Sequence, residues 1–310
     1  MNTRRHFLHS AALSAASLAL GPAAAEAAKD SAKATAKTRH VLCAFTKHLQ
    51  GLPYDRIADI GAEVGLDGIE APVRPKGHVE PERVTEDLPK LIEALKKKNL
   101  EMTILTSGIN EVSKEQNTEQ VLRTAKALGV QRFRMLYFKY DLKKPIQAQL
   151  DEWKPKIKDL IQLCSEIGIQ PLLQNHSGKD YFGAPIWDAW SLMKDYTPQQ
   201  WGFAVDAYHT TVEAGLSWPI DTALVGDHIQ AIYFKDVKWT APGKAEGVPL
   251  GTGMVTRDFA TTLLKRGFTG PISLHTEYMV GQTDRPEFVK DSIAAYKRDL
   301  AVMKEWIGQA

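Results

Sequence analysis

The sequence is short of several features, and each shortage excludes a class of protein. It has only two cysteines in 310 residues. Cys43 lies in a strand-like apolar run and Cys164 in a helix-like one, with no C-x-x-C neighbour. That argues against a disulfide framework or thiolate metal site, and both are expected to be buried packing residues. Neither charge sign dominates: 39 Lys and Arg against 37 Asp and Glu give a formal net charge of +2. No basic block follows the N-terminal segment, so no nucleic acid partner is expected and a small, roughly neutral ligand fits better. No G-x-G-x-x-G follows the first strand candidate and no G-x-x-x-x-G-K-[ST] occurs, so no nucleotide cofactor is implied. A composition of 44% hydrophobic and 25% charged residues is that of an ordinary globular chain, not a disordered, fibrous or membrane protein.

What is present begins with a targeting signal. Thr3-Arg4-Arg5-His6-Phe7-Leu8 precedes the mildly apolar run Ala11 to Leu20, and Ala23-Ala24-Ala25 or Ala25-Glu26-Ala27 would serve as A-x-A cleavage sites. The paired arginines before Phe-Leu resemble a twin-arginine signal peptide over residues 1–28, a route for proteins exported already folded. The mature protein is then expected to be periplasmic or secreted, with no membrane segment. Residues 29–39 read as an Ala/Lys/Thr linker.

From His40 onward, short β-rich runs alternate with amphipathic helical stretches. The strand candidates are Val41 to Phe45, Gly68 to Val73, Glu101 to Thr106, Phe133 to Phe138, Gln170 to Asn175, Trp201 to Asp206, Ile229 to Lys235 and Pro271 to Glu277. Helical periods cover Tyr54 to Val64, Leu88 to Lys98, Thr118 to Leu128 and Leu150 to Ile167. Gly65, Gly129, Gly168 and Gly267 stand where helices end, as C-capping glycines do. Eight rounds in roughly 270 residues predict an α/β fold, a single-domain (β/α)8 TIM barrel over residues 40–310, rather than an open doubly wound sheet.

Chemistry in such a barrel sits at the C-terminal ends of the strands. Glu70 lies near the end of strand two, Gln174-Asn175-His176 end strand five, and Asp206 ends strand six with His209 three residues on. Tyr233-Phe234-Lys235-Asp236 end strand seven and His275-Thr276-Glu277 end strand eight. Alternation puts Gln174 with His176, Tyr233 with Lys235, and His275 with Glu277 on common faces. Asp206, His209 and Glu277 would offer a divalent ion a mixed oxygen and nitrogen site. Trp239, just after strand seven, could stack on a sugar ring. With Trp239, the residues Glu70, Tyr233 and His275 are the candidates for substrate contact.

Five stretches, Pro171 to His176, Val205 to His209, Tyr233 to Asp236, Pro249 to Gly253 and Gly270 to Glu277, together resemble the xylose isomerase-like TIM-barrel superfamily. This is also called the sugar phosphate isomerase/epimerase family and includes tagatose epimerases and inosose dehydratases. The resemblance covers nearly all of the mature chain. It implies one divalent metal ion (Mn, Mg, Co or Zn) held by residues on strands five, six, seven and eight, with two glutamates moving a proton beside a carbonyl. Asp206 and Glu277 match that pattern, and His209 matches a second His found in several members. Two positions depart: the strand-five Glu is Gln174 and the strand-seven His is Tyr233. Glutamine can donate a carbonyl oxygen to a metal but cannot serve as a base near neutral pH.

The expected metal ligands are therefore Gln174, Asp206, His209 and Glu277, and the expected catalytic groups are Glu277, His176 and Lys235. The resemblance implies a metal-dependent isomerase, epimerase or lyase acting on a sugar, keto-sugar or polyol, with a lyase or hydrolase acting on a keto-glycoside left open. Its alternative is a carbohydrate-binding barrel that has lost the chemistry. An endonuclease of the same superfamily is opposed by the near-neutral charge. The outer helix ring leaves a homodimer open.

Overall fold

Short runs that are apolar on both faces, rich in β-branched and aromatic residues, make strands covered on both sides. Eight such strands close into a parallel barrel in the computed structural model, which describes residues 39–282 and 285–310. They are β1 (Leu42–Phe45), β2 (Gly68–Val73), β3 (Glu101–Ser107), β4 (Arg132–Arg134), β5 (Gln170–Gln174), β6 (Gly202–Asp206), β7 (Ile229–Phe234) and β10 (Ile272–Leu274). Round the barrel the order is β1-β10-β7-β6-β5-β4-β3-β2. Residues Arg39–Ala310 form one compact unit. The expected signal peptide and all of the expected linker but Arg39 lie outside the described residues. Arg39 itself ion-pairs with Asp67.

The helices are α1 (Tyr54–Val64), α2 (Val84–Lys96), α3 (Thr118–Ala127), α4 (Ile146–Ile167), α5 (Ile186–Met193), α6 (Ala207–Ala214), α7 (Trp218–Val225), α8 (Arg257–Lys265) and α9 (Phe288–Ile307). Gly65, Gly129, Gly168 and Gly267 have φ between 77° and 96°. Glycine enters this left-handed region at no steric cost, which is why it ends helices α1, α3, α4 and α8. Among the described residues, no helix is long and apolar enough to cross a membrane. Cys43 and Cys164 are both free and buried, as expected.

Two strands are shorter than expected. β4 stops at Arg134 and β10 at Leu274, yet Met135 N still donates to Leu172 O and His275 N to Phe234 O. The chain therefore keeps one more barrel hydrogen bond before turning out to build the loops of the site. An antiparallel hairpin, β8 (Asp236–Ala241) and β9 (Lys244–Val248), follows β7 and was not foreseen. Beyond Val237 its residues are exposed or half-buried, so it lacks the buried apolar run that marks a barrel strand.

Inward positions recur every second residue. Low in the barrel they are apolar, and Cys43, Ile104, Leu172, Ala204, Ala231 and Tyr233 form a cluster of their own. One step towards the C-terminal end they become polar: Leu172 gives way to Gln174 on β5, Ala204 to Asp206 on β6, and Tyr233 to Lys235 after β7. Fold and site therefore share one periodicity, and the polar tier rests on a packed floor.

Candidate active site

The polar tier opens into a cavity of about 280 Å³ at the C-terminal end of the barrel, lined by His176, His209, Lys235, His275, Glu277 and Tyr278 among others. Beneath it lies a buried ionic hub. Glu70, which has no solvent exposure, accepts hydrogen bonds from Thr106 Oγ1 (2.6 Å), Ser273 Oγ (2.7 Å) and His275 Nε2 (3.0 Å), and Arg134 Nη1 lies 3.5 Å away. Burial alone would raise its pKa, but the charge and hydrogen bond of His275, with Arg134 and Thr106, hold it at about 2. His275 answers in kind: burial would lower it, and Glu70 and Glu277 hold it above its ordinary value. Its Nδ1 makes no hydrogen bond and lies 3.8 Å from Glu277 Oε1.

Above the hub, Lys235 collects the residues expected to bind a metal. Its Nζ lies 2.7 Å from His209 Nε2, 3.2 Å from Asp206 Oδ2 and 3.8 Å from Glu277 Oε2. Burial alone would lower its pKa, and the carboxylates of Asp206 and Glu277 raise it above the ordinary lysine value. The ammonium donates to His209 Nε2, so the His209 proton sits on Nδ1 and donates to Ser177 Oγ at 2.7 Å. Burial first, then the charge of Lys235, push His209 well below its ordinary pKa. Asp206 uses its other oxygen to cap α6, accepting from His209 N at 3.2 Å.

Gln174 is held between donors and an acceptor, and this fixes its amide. Arg134 Nη1 (2.8 Å) and Tyr137 OH (2.7 Å) donate to its Oε1, leaving Nε2 to donate to Asp206 Oδ2 at 2.6 Å. A flipped amide would set its NH2 against two donors and its oxygen against a carboxylate. Gln174 therefore turns N–H groups, not its carbonyl, towards the centre.

These contacts test the fit of a divalent ion. An ion held by Asp206, His209 and Glu277 would have to displace Lys235 Nζ, and Gln174 offers it no oxygen. Tyr233, in place of the family histidine, is fully buried in the lumen with its hydroxyl unpartnered. The three carboxylates of Glu70, Asp206 and Glu277 already face three cationic partners, Arg134, Lys235 and His275. Among the described residues, no three His, Cys, Asp or Glu side chains are set to hold a metal ion. The residues present do not fit the group.

The other expected site residues divide. Glu277, with 32% of its side chain exposed, is the carboxylate that opens into the cavity. Burial would raise its pKa, but Lys235 and His275 hold it well below the usual range. His176 also lines the cavity, its Nδ1 donating to Ser177 O at 2.9 Å and its ring stacked on Tyr181. Burial, then Lys235, lower it to about 4, so it stands neutral near pH 7, with Nε2 as an acceptor. Glu70 and Tyr233, expected to contact substrate, are fully buried and do not line the cavity. Their inward positions lie too low in the barrel. Trp239 stands on the hairpin, 42% exposed, beside a separate surface depression. His275 does line the cavity, but as a group held between Glu70 and Glu277.

Several residues were missed. Arg134 and Tyr137 orient Gln174, and a charged residue at an inward position of the strand-four run was the available signal for Arg134. Asp236, fully buried, accepts from the backbone N–H groups of Val237, Gly251, Gly253 and Val255 at 2.7 to 3.0 Å. It thereby pins the Pro249 to Gly253 stretch over the site. Gly253 is required there, because a Cβ would run into Val237 O and the Asp236 carboxylate.

The sequence matches the family described as xylose isomerase-like TIM barrel over residues 58–306. No curated protein matches it. Among solved structures, D-psicose 3-epimerase from Clostridium cellulolyticum H10, with D-tagatose, superposes with a TM-score of 0.65 at 10% identity, over 86% of this chain and 99% of that one. The IOLI protein with a zinc atom gives 0.66 at 16% identity, over 86% and 98%. The 3-keto-D-glucoside 4-epimerase YcjR from E. coli gives 0.63 at 14% identity, over 86% and 100%. At these identities the likeness is one of fold.

Proposed function

The chain belongs to the xylose isomerase-like TIM barrel family, and from that premise we propose that it is a sugar-modifying enzyme that removes a proton beside a carbonyl. The substrate is a sugar, keto-sugar or polyol derivative, and Glu277 is the base. One observation carries this reading: the carboxylate of Glu277 opens into the C-terminal cavity beside Lys235 and His275, whose pKa values its charge helps to raise. A substrate carbonyl in that cavity would develop negative charge as Glu277 takes the neighbouring proton, and fixed positive charge lowers the barrier to that step. The epimerase activities named for two of the structural neighbours, on psicose and on a 3-keto-glucoside, agree in kind.

The divalent ion implied by the sequence resemblance does not fit the side chains, so no step runs through it. With an amide at Gln174, the site has one carboxylate base where a symmetric exchange between two faces would need two. The reading therefore favours enolisation followed by elimination, or by return of the proton to the adjacent carbon of the enediol on the same face. The motif Arg4-Arg5-His6-Phe7-Leu8 supports export by the twin-arginine route to a periplasmic or secreted location.

The test is solvent exchange. Keto-sugars and 3-keto-glycosides incubated with the protein in D2O should exchange a carbon-bound proton, read by NMR. Glu277→Gln should slow exchange by about a hundredfold or more while the melting temperature holds. The replacements at Gln174 and Tyr233 favour a second reading, a carbohydrate-binding barrel without catalysis. Sugar binding by calorimetry with no exchange in any substrate would select it.

A further inference from the structure

We propose that the ε-ammonium of Lys235 is the built-in electrophile of this site. It stands where a divalent ion would otherwise be gathered by Asp206, His209 and Glu277, so the protein works without a resident metal. The substrate class follows: a ketone or aldehyde that offers one oxygen to one N–H donor.

The placement carries the inference. Of the three N–H groups on Nζ, one reaches His209 Nε2 at 2.7 Å and one Asp206 Oδ2 at 3.2 Å. Among the described residues the third has only Glu277 Oε2, at 3.8 Å, beyond hydrogen-bond reach, on the side where both residues line the cavity. A carbonyl oxygen placed there would accept that N–H while its neighbouring carbon faces the Glu277 carboxylate. Electrophile and base are thus adjacent without a metal between them.

The surroundings are built for an ammonium. Gln174 turns its NH2 to the same Asp206 oxygen that Lys235 uses, which a carboxylate at that position could not do. His209 presents the lone pair of a neutral imidazole to Nζ, its orientation fixed by Ser177. Tyr208 sets its ring face 5.1 Å from Nζ, a further favourable contact for a cation.

The same surroundings oppose a Schiff-base role. An amine attacks a carbonyl through a free lone pair, and Nζ is engaged here as a donor to His209 Nε2 at 2.7 Å and towards Asp206 Oδ2 at 3.2 Å. They also distinguish substrates by geometry. A metal ion with open positions can chelate two vicinal oxygens, whereas a single free N–H binds one. A lone carbonyl beside an acidic C–H, as in a 3-keto-glycoside, then suffices, and a neighbouring hydroxyl need not chelate.

The inference rests on the carbon-acid reading of the site, but its first test needs no substrate. The full-length protein, expressed and processed in its host, is incubated with Mn2+ or Zn2+, dialysed and measured by elemental analysis and by Mn2+ electron paramagnetic resonance. Wild type is expected to retain far less than one equivalent. The double variant Lys235→Ala/Gln174→Glu removes the cation and restores a carboxylate, and it should bind Mn2+ roughly a hundredfold tighter or better. Stoichiometric metal in wild type that disappears in Asp206→Asn overturns the proposal. So does a folded double variant, judged by circular dichroism, that binds no more tightly than wild type. Borohydride is the second probe, applied in the presence of a keto-sugar. No covalent adduct at Lys235 is expected, and a trapped amine identified by mass spectrometry would replace the electrophile with an imine. If no sugar exchanges its proton in D2O, the sugar-enzyme reading falls while the metal titration still decides the role of Lys235.

Discussion

The two ends of the barrel both carry cavities, and the larger one is at the wrong end for chemistry. The N-terminal cavity, about 440 Å³, is lined by residues at the starts of strands, with Arg132 and Arg266 as its basic groups. The C-terminal one is about 280 Å³. At the N-terminal end the Arg132 Nε is buried without a partner, and Arg266 donates to Thr222 Oγ1 and Pro219 O. At the C-terminal end, Arg134, Glu70, His275, Glu277, Lys235 and Asp206 form a chain of alternating charge drawn from the ends of five strands. Volume therefore does not locate the site. Convergence of opposite charges from several strands does, because each buried charge must be matched and only a polar tier facing one cavity can match so many.

The comparison can be broken experimentally, and the largest expected effect is at the hub. Glu70→Ala leaves Arg134 and His275 as uncompensated buried cations and should destabilise the fold by about 3–5 kcal/mol in urea unfolding. A loss below about 1 kcal/mol would mean that the hub is wet and its charges uncoupled.

A smaller effect should appear with pH. His48 and His78, near the C-terminal ends of β1 and β2, are lowered to about 4, chiefly by burial. Their contribution to stability is full above the ordinary value of 6.5 and is lost as pH falls through about 4. His275 is raised by its carboxylate neighbours, so its contribution is full below 6.5 and is lost as pH rises through its folded value. The opposite signs put the stability maximum near pH 6.5, checked by urea midpoints from pH 4 to 9. A midpoint still climbing towards pH 9 would deny His275 its charge in the folded state.

The smallest effect belongs to the other end. Arg132→Met should change stability by no more than about 1 kcal/mol and leave activity unchanged, because the guanidinium has no ion pair to lose. If Arg132→Met abolished activity, the N-terminal cavity would have to be reconsidered as part of the functional site.

Much of this was legible in the sequence. The eight strands, the capping glycines and the strand-end residues were placed correctly because each depends on local periodicity or on a backbone angle that one residue permits. The convergence of Asp206, His209 and Glu277 was read from their positions at strand ends. What surrounds them was not. Lys235, expected as a catalytic group, stands among the expected ligands, with Nζ 2.7 Å from His209, 3.2 Å from Asp206 and 3.8 Å from Glu277. Gln174 was read as an oxygen donor and presents nitrogen. Tyr233 and Glu70, expected to face substrate, are fully buried and outside the cavity lining.

The division has a physical cause. The alternation of strand and helix is a property of neighbours in the chain, and closing a barrel from eight rounds uses only that repeat. So the sequence by itself determined the barrel, the end at which the site sits and the strands that furnish it. The tertiary structure decided which atom faces which. Glu70 meets His275 across 205 residues and Gln174 meets Asp206 across 32. In a buried tier of balanced charge, the orientation of one amide or one ammonium is set by all its partners at once, and no local pattern records it.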